Sequence, residues 1–123
     1  MKRVREQLGD SDPTTLSAMN NLAGTCKDQG KHRDAEDLYK QCLDKKMVVL
    51  GESHPTTLST MNNLARAYAD QGKYRDAEAL LKYCLKKQKE VLGENHPKTR
   101  ITTRNLALTY RNQGKTSEAA ELE

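Results

Sequence analysis

LGDSDPTTLSAMNNLA at residues 8–23, LGESHPTTLSTMNNLA at 50–65 and LGENHPKTRITTRNLA at 92–107 are three versions of one phrase, set 42 residues apart. A second phrase keeps the same step: DQGKHRDAE at 28–36, DQGKYRDAE at 70–78 and NQGKTSEAA at 112–120. A fixed period of this length marks a repeat architecture, in which each unit buries its apolar face against its neighbours.

Inside each repeat the local chemistry predicts two helices. Pro13, Pro55 and Pro97 suit the first helical position, where a missing N–H costs nothing. Asp12 ahead of Pro13 is a good N-cap, and His54 and His96 at the matching places are weaker ones. Leu58, Met61, Leu64, Ala65 and Tyr68 then follow at steps of three and four, an apolar stripe of helical period. Gly30, Gly72 and Gly114 read as the residues that turn the chain through a left-handed conformation. The second helix carries Ala77, Leu80, Leu81, Cys84, Leu85 and Val91 on one side and ends at Leu-Gly.

The fold expected is all-α, an α-solenoid of antiparallel helix pairs, with about two and a half to three repeats. Residues 1–7 align with 43–49 and are expected to close a preceding second helix. Repeats then occupy 8–49, 50–91 and, truncated, 92–123, a piece of a longer array. On that expectation Val4 and Leu8 at one end, and Leu106, Tyr110 and Ala119 at the other, lie incompletely covered, and end-to-end self-association follows.

Composition agrees with thin, elongated cores. The 123 residues are 31% charged and 35% apolar, and the aromatic 4% is all tyrosine. Mean hydropathy is −0.93. The net charge of +4 is modest, and the regular apolar spacing argues against disorder. No apolar run is long enough to span a membrane, and no apolar segment follows the basic N-terminus. Three cysteines without CxxC pairing fit a reducing, cytoplasmic setting rather than a disulfide framework or zinc site.

The pattern resembles the tetratricopeptide repeat, in the 42-residue variety of kinesin light chains. Met61, Leu64, Ala65 and Tyr68 match the family's first-helix signature, and Ala77, Leu81 and Cys84 its second. Repeat one places Met19, Leu22, Ala23 and Cys26, then Ala35, Tyr39 and Cys42, at the same positions. The resemblance implies a right-handed superhelix that serves as a non-catalytic interaction scaffold, with a concave groove lined by first helices. Similar arrays lie behind the nucleotide-binding domains of NB-ARC receptor-type proteins, which leaves a structural or self-associating array as the alternative.

Enzyme chemistry finds no constellation. Cys42 and Cys84 sit one repeat apart on signature positions and read as packing thiols. His32, His54 and His96 form no i,i+4 pair, and no carboxylate set completes a metal site. No phosphate-binding glycine motif occurs, so neither cofactor nor metal is expected. Lys45, Lys46, Lys82, Lys86, Lys87 and Lys89 read as a solvated second-helix face, because nucleic-acid binding wants basic residues interleaved with stacking aromatics.

The first helices carry the candidate site. In the family's geometry Asn20, Asn21, Asn62, Asn63, Arg66, Arg104, Asn105 and Arg111 line the concave groove. Asparagine can donate to and accept from an extended peptide backbone, with Asn21, Asn63 and Asn105 as a ladder of one per repeat. It can equally pack neighbouring first helices together. Arginine adds charge-assisted donors for carboxylates. The expected partner is therefore an acidic or extended protein segment, not nucleic acid or membrane.

Overall fold

The computed structural model describes residues 13–122. Six α-helices follow one another: α1 Pro13–Asp28, α2 His32–Leu50, α3 Pro55–Asp70, α4 Tyr74–Val91, α5 Pro97–Asn112 and α6 Thr116–Leu122. The Asp12 cap, Val4, Leu8 and the helix end expected at 1–7 lie outside the described residues.

Local signals place the boundaries. At the start of α3, His54 Nδ1 accepts from the Thr56 N–H at 3.1 Å, and at the start of α5, His96 Nδ1 accepts from the Lys98 N–H at 3.1 Å. Each first helix ends through a glycine with positive φ, 78° at Gly72 and 79° at Gly114. Beyond it the Lys73 N–H reaches back to the Tyr68 carbonyl at 2.9 Å, and Lys115 to Tyr110 at 2.8 Å. These bonds satisfy carbonyls that a helix end leaves open, and glycine adopts that φ without a Cβ clash.

Each helix packs on the next in the chain, and α3 also touches α5. This is the α-solenoid. Its core divides into clusters along the axis rather than gathering at a centre. One joins Ala35, Tyr39 and Leu43 to Leu58, Met61 and Leu64; the next joins Ala77, Leu81 and Leu85 to Leu106 and Tyr110. Tyr68 and Leu80 pack against both, which ties successive repeats together. Ala65 and Ala77 are fully buried where α3 crosses α4. Larger side chains there would force the backbones apart.

Four expectations change. Leu106, Tyr110 and Ala119, expected to be incompletely covered, are buried. Seven residues of α6 suffice to seat Ala119, while the Lys82 and Lys115 ammonium groups lie 5.8 Å from the Tyr110 ring centre. Lys46, expected on a solvated face, is buried and donates to Thr60 Oγ1 at 2.8 Å, because this side of α2 turns toward α3. Leu22 is 42% exposed, whereas Leu64 and Leu106 at matching places are buried among residues of the preceding second helix. Val91, expected on the apolar side of α4, lies exposed at that helix's last residue.

Candidate functional site

The first helices α3 and α5 lie side by side, and asparagine joins them. Asn62 Nδ2 donates to Thr102 Oγ1 at 3.2 Å, and Asn105 Nδ2 donates to Asn62 Oδ1 at 2.9 Å. Thr102 in turn donates to the Lys98 carbonyl at 3.2 Å. Two of the amides expected to face a ligand therefore spend hydrogen-bonding capacity on each other. They hold the spacing between two first helices, as the packing alternative required.

Repeat one departs from this pattern. Asn20, which matches Asn62, has a buried Oδ1 with no hydrogen-bond partner among the described residues. Thr60, which matches Thr102, accepts from Lys46 instead. Asn21 is exposed and Asn63 half-buried.

Between α3 and α5 the side chains leave a cleft of about 210 Å³. Leu81, itself buried, forms part of its lining together with Ala65 and Ala69. Leu108, 53% exposed, contributes an apolar wall. Arg66, Asp70, Asn105 and Asn112 supply the polar rim. Asp70 also faces His32 Nδ1 at 3.7 Å, so its charge is shared with α2. The arrangement can take an apolar side chain and pair a neighbouring carboxylate with a guanidinium.

The eight sequence candidates do not converge on one place. Arg66 and Asn105 line the cleft. Arg104 and Arg111 line a separate hollow of about 810 Å³, shared with Lys89, Arg100, Glu94 and Glu121. Leu81 and Leu108 are not among the eight, since an apolar side chain on a helix reads from sequence as core and carries no recognition chemistry of its own. The available signal was the exchange at one repeat position, Gly24, Arg66 and Leu108, which makes the groove uneven.

Among the described residues no group of three His, Cys, Asp or Glu side chains comes together, and no helix is long and apolar enough to cross a membrane. Cys42 and Cys84 are fully buried, and their thiols donate to the carbonyls of Leu16 at 3.5 Å and Leu58 at 3.3 Å. Burial pushes both thiols up, Cys84 to about 11, which is the reverse of an activated nucleophile.

A family model described as tetratricopeptide repeat matches residues 15–56 and again 57–98, together most of the chain. The chain belongs to the tetratricopeptide-repeat family. Tetratricopeptide repeats are in general non-catalytic scaffolds that mediate protein interactions. Solved structures of the nearly identical TPR-like repeats of a Podosopora anserina protein named for the kinesin light chain are similar to this array. One is 28% identical, with a TM-score of 0.88 over 98% of this chain and 57% of its own; a point-substituted form of the same protein is 29% identical, with 0.82 over 92% and 53%. BtubC from P. vanneervenii shares the fold, at 24% identity and a TM-score of 0.90 over 98% of this tetratricopeptide array and 48% of its own length. This chain thus spans about half the length of each of these structures. No curated protein matches it in sequence.

Proposed function

We propose that this tetratricopeptide array is a non-catalytic interaction scaffold that binds an extended, acidic peptide segment along the concave side of α1, α3 and α5, as a cargo or adaptor module of the kinesin-light-chain kind would. The observation that carries this is the cleft between α3 and α5, where the exposed Arg66 stands beside the apolar surface of Leu81 and Leu108. At about 210 Å³ it is smaller than the roughly 300–1,000 Å³ of small-molecule pockets. It is sized for one side chain of a longer ligand. The partner segment brings an apolar residue to the cleft and a carboxylate to Arg66. Unpaired cysteines suit a reducing compartment, so the scaffold works in the cytoplasm.

The test is a random peptide array probed with the chain and with Arg66→Glu and Arg104→Glu. Selected peptides should be acidic with an apolar residue, and Arg66→Glu should weaken them about tenfold or more with a flatter salt dependence. Arg104→Glu, on the other hollow, should matter less. Peptides held equally by the Arg66→Glu chain would sink the assignment. A second role, self-association of the array, is favoured by one feature, the apolar Leu22 left open on α1. Sedimentation over a concentration series distinguishes it, through a mass that rises with protein concentration.

A further inference from the structure

The cleft between α3 and α5 has a counterpart one repeat earlier, between α1 and α3, and the two are built differently. Leu81 in the later cleft corresponds to Tyr39, Arg66 to Gly24, and Leu108 to Arg66. Tyr39 is 4% exposed, with its ring in the core cluster that contains Ala23 and Ala67. Its hydroxyl reaches Gly24, where a Cβ built on the glycine would stand 3.7 Å from the phenol oxygen. The phenol therefore extends across the space that Leu81, lacking a ring, leaves empty one repeat later. Gly24 is the small partner of this large residue, while Arg66 is the large partner of the smaller Leu81. Burial pushes the Tyr39 hydroxyl up, against the pull of the Arg66 charge.

Building on the groove assignment, we infer that Tyr39 is a specificity-determining residue: it plugs the compartment between α1 and α3, so that the groove accepts one apolar anchor, at Leu81 and Leu108, and presents only polar groups one repeat earlier. A bound segment is thereby fixed in register. An unplugged groove would offer equivalent apolar compartments at 42-residue intervals and let a ligand shift by one repeat. With the plug, an apolar anchor has one place to go and the neighbouring compartment takes a hydrogen-bonding or acidic residue against Tyr39 and Arg66.

The experiment uses indole as probe, since an apolar cavity of roughly 150 Å³ already takes up benzene. Methyl NMR spectra of the chain are recorded with increasing millimolar indole. In the wild type, Leu81 and Leu108 should shift while Ala23 and Ala67 stay put. In Tyr39→Leu, which copies the residue repeat two carries, Ala23 and Ala67 should shift as well, and the stoichiometry should rise from one site to two. Tyr39→Phe keeps the ring and should behave as wild type. Shifts at Ala23 and Ala67 in the wild type, none there in Tyr39→Leu, or opening by Tyr39→Phe would each overturn the assignment. The peptide array makes a second arm, in which Tyr39→Leu should select two apolar positions where the wild type selects one; two from both chains would also overturn it. An array that yields no wild-type peptide speaks against the groove itself, whereas the indole arm still decides the role of Tyr39.

Discussion

Lys73 reaches back across a repeat boundary to Glu36, with Nζ 2.9 Å from Oε1, and 42 residues further on Lys115 repeats the contact with Glu78 at 3.0 Å. Each pair is reinforced in the same way. Lys40 and Lys82, one turn after the glutamates, take the other carboxylate oxygen at 3.0 and 3.1 Å. At the first boundary Gln71 Nε2 adds a bond to Glu36 at 2.7 Å. Lys40 and Lys73 also hold their ammonium groups 5.7 and 5.9 Å from the Tyr68 ring centre. The turn that ends a first helix is thus clasped to the second helix of the repeat before it. A solenoid's stability depends on such neighbour-to-neighbour terms.

This clasp predicts an acid-sensitive contribution to stability. Burial pushes the Glu36 carboxyl up, but hydrogen bonds from Lys73, Lys40 and Gln71 outweigh it and bring it from 4.5 down to about 2. A carboxyl lower in the folded chain than in the unfolded one stabilises the fold fully above about 4.5, and that stabilisation is lost as pH falls toward 2. Glu36→Gln should cost about 1–2 kcal/mol at pH 7, the lysine ends being half in water. Urea unfolding at pH 7 and at low pH measures it: the gap between wild type and variant should shrink in acid, and a gap independent of pH would refute the clasp.

The histidine caps predict a stabilising substitution. His54 Nδ1 serves as an acceptor for one backbone N–H at the start of α3. An aspartate can accept the same bond and adds negative charge at the positive end of the helix dipole. His54→Asp should therefore raise stability by about 0.3–1 kcal/mol. His54→Ala, which removes the cap, should lower it by about 0.5–2 kcal/mol. Thermal unfolding of both variants checks the order, and an aspartate variant below wild type would count against the cap.

The thiols should fall into two classes. Cys26 is half-buried, whereas Cys42 and Cys84 are fully buried and each donates to a first-helix carbonyl. A thiol reagent should modify one cysteine readily in the native protein and the other two only on unfolding. Cys84→Ala should cost about 1–2 kcal/mol, a small version of a core truncation. Rapid native labelling at Cys42 or Cys84, read by mass spectrometry of peptides, would contradict the packing.

Lys46 offers a change in the opposite direction. Its buried ammonium donates to Thr60 Oγ1, and that hydroxyl already has a bond to the Thr56 carbonyl at 3.3 Å. Lys46→Met removes a desolvated charge without leaving Thr60 unpaired. Replacing buried charge by apolar volume is often neutral or stabilising, so a gain of about 1 kcal/mol is expected in urea unfolding. A loss of that size would mean that the ammonium is better solvated than its burial indicates.

The sequence by itself determined the 42-residue period, the two helices per repeat, their proline starts and glycine ends, and the alanines where helices cross. All of these are local or strictly periodic. A proline fits the first turn whatever lies beyond it, a glycine adopts positive φ without a partner, and the apolar stripe of α3 shows in residues three and four apart. The tertiary structure alone decided which side chains share a wall. Arg66 and Arg104 both stand on first helices, yet one rims the cleft and the other a separate hollow. Asn62 and Asn105 turned to each other, and Lys46 turned inward, because helix rotation and spacing depend on the summed packing of several elements. The cleft itself depends on Leu81, a residue of a third helix. Where Tyr39 takes the same place, the volume of its ring extends into the space that Leu81 leaves open.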